Sequence, residues 1–567
     1  MTQSVAGRGQ FARLLAGDGF GWIRRCIAWP MRYADLLGFG GPKRLLIAPQ
    51  DIRTADPTMA ADFYAGYFAF AGKMANTHGL SPFDVAPPSA AWAANLAGFG
   101  WLRHLRAADT ALSRANARAL VEDWIKQNAR KSKPEDWEPR VATRRLLSWM
   151  SQSPLILEGA DSPFYRLFMK SIGRQAMLLQ RRLNDDIEGE TRLFGLIALA
   201  EFGLCGEGLD NLQERMSLLL GEELGRQVLA DGGHIGRNPQ TVIDLLLDLL
   251  PLRQAYSARG VSAPPQLLNA IDRMMPMLRL FRLGDGSLAL FNGMGQTAPH
   301  DLATILAHDD ARAAPLINAP YSGYQRMEGG SAIVIMDTGA APPTAFSDRA
   351  HAGCLSFEFS SENQRLIVNC GSPNDSRANM RDAARSTAAH SSLTLADTSS
   401  CHFGAEGKKR SLEGKIVSGP TKVQVKRQSA EDCIALEASH NGYERQFGLI
   451  HTRSLYLSTE GDQLEGEDKL TPVGGKKASV LTADYAVRFH LHSSLRTKVL
   501  GDRQSVEILT PSGQVWLFHA EGHRLAVEES ISFATAEGVR GADQIVVHTN
   551  YQDYPSVSWT LYKTTGD

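Results

Sequence analysis

The sequence lacks the features that mark disulfide-rich proteins, membrane-spanning proteins and several common enzyme classes. Its six cysteines are scattered, without CxxC or CxxxC spacing, and do not indicate a disulfide framework. No run of about 18 uncharged apolar residues exists, so we expect no membrane-spanning helix. The chain also has no GxSxG or HExxH motif and no basic run interleaved with aromatics.

The charge of the chain is almost balanced. Sixty basic residues stand against 61 acidic ones, a formal net charge of −1. This balance removes the usual electrostatic basis for a nucleic-acid partner. A local basic cleft can still bind an acidic polymer, because net charge says nothing about charge distribution.

The N-terminus carries only part of a secretory signal. Residues 1–13 form an acceptable basic segment, but the apolar stretch that follows is broken by Asp18, Arg24 and Arg25. No A-x-A cleavage site follows a clean apolar region. We therefore expect a cytoplasmic protein, with a periplasmic location as the alternative.

The first half of the chain has the periodicity of amphipathic helices. A chain of 567 residues is too long for one hydrophobic core, so two or three domains are expected. Between residues 60 and 280, apolar residues recur at i, i+3, i+4 and i+7, most clearly in 192–204, 212–230 and 241–256. Such helices in series predict an all-α layer in which they cover one another.

After residue 320 the period changes to two. Short runs there alternate or are rich in β-branched residues, with turn clusters between them. These runs are 331–339, 355–360, 365–370, 392–397, 421–428 and 487–492. Many short strands without intervening helices predict an antiparallel sandwich, and the boundary between the two halves falls at 312–323.

Several strings in the chain carry a family signature. Three of them resemble the C-terminal domain of the heparinase II/III superfamily: HAGCLSFEFS (351–360), RLIVNCGS (365–372) and ARSTAAHSSLTL (384–395). Further strings that fit the family are PQDIRTADP (49–57), LADGGHIGRNP (229–239), HTRSLYLS (451–458), GED (466–468) and RFHLH (488–492). The resemblance covers roughly residues 45–555.

The resemblance implies an α+β multidomain fold, in which an (α/α) toroid of helical hairpins precedes a large antiparallel β-sandwich. We assign 1–60 to an N-terminal extension and short family segment, 61–318 to the toroid and 319–567 to the sandwich. The implied activity is β-elimination of a uronate-containing polysaccharide in a cleft between the domains. That reaction needs a base for the C5 proton, an acid for the leaving oxygen and a group that neutralises the carboxylate.

His351 matches the family histidine that precedes the LSFE strand, which implies a catalytic or zinc-binding role. The position two residues earlier is Arg349 rather than a second histidine, and we expect Arg349 to bind substrate. The alternative is a buried histidine whose ring is satisfied by a main-chain carbonyl.

The resemblance also implies a metal site, for Zn²⁺ or another divalent ion, on His351, Asn369 and His390. The family has an aspartate where this chain has Asn369, and a neutral amide oxygen is a weaker zinc ligand than a carboxylate. In the alternative, the two histidines only pin the sheet by hydrogen bonds.

The toroid half departs from the family pattern. The usual Asn-His is replaced by ETR at 190–192, and the usual Tyr-His by QTV at 240–242. The family's tyrosine acid and its carboxylate-neutralising partner are therefore missing where the two patterns align.

Other residues in the toroid offer replacements. We expect Glu190 and Arg192 to bind substrate, and His234 and Arg237 to take catalytic roles, because histidine titrates near neutrality and arginine binds carboxylates. Alternatively, Glu190 only places charge at a helix N-terminus and Arg237 is a solvated turn residue.

Three residues of the second half complete the candidates. Tyr324, at the domain junction, could act as the acid, or it could pack as an aromatic of the first strand. Arg488 and His490 share one face of a strand by alternation, which indicates either sugar binding or a solvated polar face.

From these candidate residues, our first hypothesis is a polysaccharide lyase that acts on an acidic polysaccharide or oligosaccharide. A glycoside hydrolase on the same scaffold, with Glu190 in an acid/base pair, is the second. A non-catalytic protein that binds glycans or serves envelope polysaccharide is the third, because a fold alone does not establish an activity.

Overall fold

A computed structural model describes residues 41–130, 133–185, 187–309, 312–373, 378–405, 411–475, 483–535 and 538–564. The broken N-terminal signal lies outside the described residues. Within the described ranges, no helix is long and apolar enough to cross a membrane.

The first half of the chain is helical, as its periodicity predicts. Its helices are α1 (Met59–Tyr64), α2 (Ala90–Gly98), α3 (Leu102–Ala108), α4 (Ala111–Arg130), α5 (Pro139–Ser151), α6 (Ser153–Leu157), α7 (Ser162–Asp185), α8 (Glu190–Cys205), α9 (Asp210–Gln227), α10 (Pro239–Ala258), α11 (Pro265–Leu280) and α12 (Pro299–Ala307). A small hairpin, β1 (Tyr67–Phe70) and β2 (Lys73–Asn76), precedes α2.

Helix α8 shows why these helices close around one another. It is apolar on nearly every side and contacts α5, α7, α9 and α10. A helix that is apolar all round has to be covered all round. Gly203 lets α9 approach closely, since a Cβ at that position would lie 2.7 Å from the Cα of Gln213.

The second half is almost entirely β-structure. Its strands are β3 (Asn318–Ala319), β4 (Tyr324–Gly329), β5 (Ala332–Asp337), β6 (Phe357–Ser361), β7 (Gln364–Val368), β8 (Leu393–Leu395), β9 (His402–Phe403), β10 (Ile416–Ser418), β11 (Val423–Ser429), β12 (Cys433–His440), β13 (Leu449–Ser458), β14 (Gln463–Pro472), β15 (Asp484–Leu491), β16 (Arg496–Val499), β17 (Ser505–Leu509), β18 (Val515–His519), β19 (Leu525–Ser532), β20 (Arg540–Asn550) and β21 (Ser556–Lys563). Two short helices, α13 (Ala378–Arg385) and α14 (Glu444–Phe447), interrupt it.

Two large antiparallel sheets form the sandwich. One has the order β19-β20-β15-β7-β6-β5-β4-β3, with β8 also paired to β15. The other has the order β11-β12-β13-β14-β21-β18-β17-β16. The inner faces of the sheets form an apolar core that includes Phe357, Trp516 and Trp559.

The helical core continues into the sandwich. The apolar cluster that fills the toroid also contains Tyr324 of β4 and Ile335 of β5. The two domains therefore share buried surface, and residues from both can face one cavity.

Candidate functional site

A cavity of about 1040 Å³ lies where two toroid helices begin and the sandwich faces them. Arg140 comes from the first turn of α5 and Gln240 from the first turn of α10. Asn238 caps α10 by accepting the Gln240 amide at 2.8 Å, and Pro239 occupies its first position. Polar side chains that the sandwich half adds to the lining include Asp348, Arg349, His351, Arg381, Asp382, Arg385, His402 and Glu413.

Four arginines, Arg140, Arg349, Arg381 and Arg385, line this cavity. Arg349 and Arg381 have no hydrogen-bond partner among the described residues, and Arg140 only reaches Glu190, at 3.4 Å. Arg385, in contrast, is hydrogen-bonded: its guanidinium donates to the carbonyls of Ala350 and Ser347 at 2.8 and 2.9 Å. Uncommitted guanidinium groups are well suited to bind the carboxylates of an acidic ligand.

Glu190 lies beneath the arginines at the start of α8. Its Oε1 accepts the Thr241 hydroxyl at 2.8 Å. Burial opposes its ionisation, but His234, Arg349 and Arg140 hold the pKa of Glu190 below its usual value. Glu190 is therefore an ionised partner of the basic cluster, which keeps Arg140 and Arg349 near each other.

Hydrogen bonds define the tautomer of His351, which lines the cavity. His390 Nδ1 lies 2.7 Å from the Ser386 carbonyl oxygen, which can only accept, so Nδ1 carries the hydrogen. His390 Nε2 is then an acceptor, and it takes a hydrogen bond from His351 Nδ1 at 3.1 Å. His351 Nε2 is left unprotonated, and it has no hydrogen-bond partner in the described part of the chain.

Both histidines are held neutral. Burial lowers the pKa of His390 to about 4. Burial, with His390 and Arg385 nearby, also holds the pKa of His351 well below its usual value. At neutral pH the cavity wall therefore presents a weak base beside arginine side chains.

A family model described as "Heparinase II/III-like, C-terminal" matches residues 311–560. Over 574 residues the chain is 33% identical to FtsZ-localized protein C of Caulobacter vibrioides (strain NA1000 / CB15N), covering 96% of this chain and 97% of that protein. The chain belongs to the heparinase II/III-like family.

Solved structures confirm the fold class of this heparinase II/III-like chain. Heparinase III matches with a TM-score of 0.68 at 12% identity, over 88% of this chain and 81% of that one. A mutant of heparan sulfate lyase HepC from Pedobacter heparinus matches with a TM-score of 0.63 at 15% identity, over 99% and 91%. At these identities the match establishes the toroid and sandwich, and not an activity.

Arg237 does not line the cavity of the heparinase-like chain. It is buried, forms an ion pair with Asp337 and packs over the Tyr324 ring. Its guanidinium also donates to the main-chain carbonyls of Ser322, Gly323, Gly339 and Ala340, at 2.7 to 3.2 Å. With every donor committed, Arg237 joins the turn before α10 to the first strands of the sandwich.

Tyr324 belongs to the same junction. Its hydroxyl donates to the Arg237 carbonyl at 2.5 Å and accepts from Asn292 Nδ2 at 2.8 Å. Burial raises the pKa of Tyr324 above its usual value. The side chain is fully buried and is not among the residues that line the cavity, which matches the packing alternative in the sequence analysis.

His234 lies just below the cavity, near Glu190. Its Nδ1 accepts the Gly236 amide at 3.0 Å and its Nε2 donates to Gln227 Oε1 at 3.0 Å. Nδ1 is also 4.0 Å from Glu190 Oε1, and burial lowers the pKa of His234. Because both of its ring nitrogens are hydrogen-bonded, His234 fixes the Gly-rich turn next to Glu190.

Arg192, Arg488 and His490 lie away from the cavity lining. Arg192 bonds to Glu223 at 3.1 Å and to the Leu183 carbonyl at 2.7 Å. Arg488 pairs with Glu528 at 3.5 Å. His490 is buried, with a pKa lowered by burial to about 3, and bonds to the Ser530 hydroxyl at 2.7 Å.

The predicted zinc ligands do not converge on one point. His390 Nε2 already accepts the His351 N–H, and Asn369 Oδ1 accepts the Ser391 amide at 3.0 Å. In the described ranges, no group of three or more His, Cys, Asp or Glu side chains is arranged to hold a metal ion. As arranged, these residues do not fit Zn²⁺, and the zinc site stays a prediction.

Three residues of the family motifs form a buried cluster in the second sheet, which the sequence did not indicate. His451 and Arg453 of β13 bond to Asp468 of β14 at 2.8 and 2.9 Å, and all three are fully buried. His451 also meets His440 Nε2 at 3.3 Å. His451, Arg453 and Asp468 come from HTRSLYLS and GED, and none of them is among the residues that line the cavity. Arg453 also donates to the carbonyls of Leu355 and Ser391, at 2.8 and 2.6 Å, and so ties the second sheet to the segments that carry His351 and His390.

Proposed function

We propose that the chain is a polysaccharide lyase that cleaves a uronate-containing glycan in the cavity between toroid and sandwich. One observation carries the proposal: His351 has an unprotonated Nε2 in a cavity that also contains the uncommitted guanidinium of Arg349. A neutral base beside a carboxylate-binding cation is what abstraction of the C5 proton requires.

The reaction can be written on these side chains. Arg349 and Arg140 bind the uronate carboxylate, which makes the C5 hydrogen more acidic. His351 Nε2 takes the C5 proton, the C4=C5 double bond forms, and the C4–O bond breaks. The same nitrogen returns the proton to the leaving oxygen, so that the charges balance. Because burial makes His351 a weak base, the reaction depends strongly on the arginines.

Mass spectrometry of the products tests the proposal. A panel of acidic oligosaccharides is incubated with the wild-type protein, with His351→Ala, and with His548→Ala as a control that removes an exposed histidine. We expect fragments lighter than hydrolysis products by one water, from wild type and His548→Ala only. Fragments with the mass of hydrolysis products would replace the lyase by the hydrolase alternative.

A second candidate function has its own support. No tyrosine lines the described part of the cavity, so the usual acid of the family is missing there. The relative that is 33% identical along nearly its whole length is named for localisation with FtsZ. The second candidate is therefore a protein that binds an acidic glycan in this cavity without cleaving it and that localises with FtsZ.

Two measurements separate this candidate from the lyase. Under the second candidate, a fluorescent fusion of the full chain co-localises with FtsZ, and oligosaccharides bind without any new product. Under the first, the glycan that binds is also cleaved. Binding that persists unchanged in an Arg349→Gln variant would contradict both, because both use the same cavity.

A further inference from the structure

Arg453 crosses the apolar core of the sandwich. It starts on β13 of one sheet, and its guanidinium packs over the ring of Phe357 on β6 of the other sheet, 5.2 Å from the ring centroid. The side chain is fully buried. A charge is costly to bury unless its donors find acceptors, so the acceptors of Arg453 indicate its role.

Asp468 fixes one side of this guanidinium. Nε and Nη2 of Arg453 donate to the two carboxylate oxygens of Asp468, both at 2.9 Å, in the planar two-bond arrangement that a guanidinium makes with a carboxylate. The carboxylate also accepts from His451 Nε2 at 2.8 Å and from Trp559 Nε1 at 3.2 Å. Because Asp468 is held by three side chains, the plane and the direction of the guanidinium are fixed as well.

The remaining nitrogen of Arg453 joins two separate segments of the chain. Nη1 donates to the Leu355 carbonyl at 2.8 Å and to the Ser391 carbonyl at 2.6 Å. Leu355 lies in the turn that follows His351, and Ser391 directly follows His390. One nitrogen atom therefore holds together the two segments whose histidine rings meet at 3.1 Å.

These two segments are tightly packed against each other. A Cβ at Gly353 would lie 2.7 Å from Cδ2 of His390, so the turn after His351 rests on the neighbouring ring. Leu355 has a φ of 63°, a left-handed conformation that leucine rarely adopts and that surrounding contacts have to maintain. The bond from Arg453 to the Leu355 carbonyl is one such contact.

Stability alone does not account for a buried ion pair at this position. Well-packed apolar residues of similar volume often stabilise a core as much as a buried ion pair does, or more. An apolar pair, however, cannot donate from one atom to the carbonyls of two separate segments. The two carbonyl bonds therefore give a reason for the charge of Arg453 within an apolar core.

We propose that Arg453 is a positioning residue that holds His351 against His390, although it does not itself line the cavity. Anchored by Asp468, it sets the spacing between residues 351–355 and 390–391. That spacing maintains the hydrogen bond that leaves His351 Nε2 unprotonated. The consequence for catalysis rests on the proposed function, whereas the consequence for the two rings does not.

¹⁵N NMR of the imidazole rings tests the proposal in the full chain without substrate. In the wild type His351 should carry its hydrogen on Nδ1 alone. The double variant Arg453→Met with Asp468→Asn removes both buried charges together, and it should populate both tautomers of His351. Arg453→Lys is a second variant that keeps the positive charge. It should also populate both tautomers, because one ammonium group cannot reach the carboxylate and both carbonyls.

Ile508→Ala is the matched control. Ile508 is fully buried on β17 of the same sheet and belongs to the same apolar core. The substitution should lower the melting temperature and leave the His351 tautomer as in wild type. Circular dichroism shows that each variant is folded.

Turnover of a glycan that the wild type cleaves provides a second readout. The double variant should lower kcat by about tenfold or more, because the base is misplaced. Its KM should stay within about threefold of wild type, because Arg349 and Arg140 are untouched. Ile508→Ala should change neither constant.

Two results overturn the proposal. One is a folded double variant in which His351 keeps the wild-type tautomer, since the spacing of the rings would then not depend on Arg453. The other is an Ile508→Ala variant that shifts the tautomer as far as the double variant does, since any loss of stability would then suffice. If the wild type cleaves no glycan, the proposed function fails, and the tautomer measurement still decides the role of Arg453.

Discussion

His351 Nδ1 lies 3.1 Å from His390 Nε2, and this contact decides which nitrogen of His351 is left unprotonated. The direction of the bond comes from the Ser386 carbonyl, which accepts the other N–H of His390. A main-chain carbonyl thus sets the tautomer of one histidine, which sets the tautomer of the next.

Replacing His390 should affect His351 without removing it. In His390→Ala the ring of His351 loses its acceptor, so both tautomers become populated and turnover falls by about 10- to 100-fold. His390→Gln, which can still accept through its carbonyl oxygen, should retain more activity. ¹⁵N NMR of the imidazole rings reports the tautomer directly. A wild-type His351 that carries its hydrogen on Nε2 would contradict this relationship.

Acid should destabilise the protein well above the pKa values of its carboxylates. Burial lowers the pKa of His104 and His390 to about 4 and that of His490 to about 3, against about 6.5 in the unfolded chain. The unfolded state therefore binds protons first as the pH falls, and stability present above pH 6.5 is lost between about 6.5 and 4. Each fully buried histidine contributes up to about 1.4 kcal/mol per pH unit in that range.

Urea denaturation at about pH 7.5, 6 and 5 measures this loss. His490→Gln should reduce the slope of stability against pH, because it removes one group that must stay neutral. A free energy of unfolding that is constant between pH 7.5 and 5 would show that these histidines are not held neutral by the fold.

Arg237→Met should destabilise the junction between toroid and sandwich. The change leaves Asp337 buried without its cation and several carbonyls without a donor, at a cost of about 3–5 kcal/mol. Lys426→Met, which breaks an exposed ion pair with Glu437, is the control and should change the melting temperature little. If the two variants melt alike, Arg237 is not the anchor that its contacts indicate.

The order of helices and strands could be predicted because it depends on local periodicity. Burial of polar residues could not, because it depends on what packs over them. Arg488 and His490 do share a strand, but the Ala388 carbonyl and Ser530 come from distant parts of the chain to cover His490. Arg237 is similar, since its carbonyl acceptors lie 85 to 103 residues further on.

The cavity itself was only partly predictable. His351 came from the family string and Arg349 from the position two residues before it, and both line the cavity. Arg140 has no motif around it, and its position follows from α5 beginning beside α8. No local signal in the sequence marks that meeting of helices.

The zinc prediction can be tested by elemental analysis of the purified protein. The hydrogen bonds of His390 Nε2 and Asn369 Oδ1 oppose a shared metal, so we expect less than one zinc per chain after dialysis. His390→Ala should then have the same metal content as wild type. Stoichiometric zinc that His390→Ala loses would establish the metal site and would require the two rings to separate.

The most direct test of the central claim is the ultraviolet absorbance of a 4,5-unsaturated uronate, followed over time with an acidic glycan. The account predicts that the absorbance rises with wild type and His548→Ala, falls to background with His351→Ala, and is strongly reduced with Arg349→Gln. An absorbance that rises equally with His351→Ala would contradict the account, because the base would then be another residue.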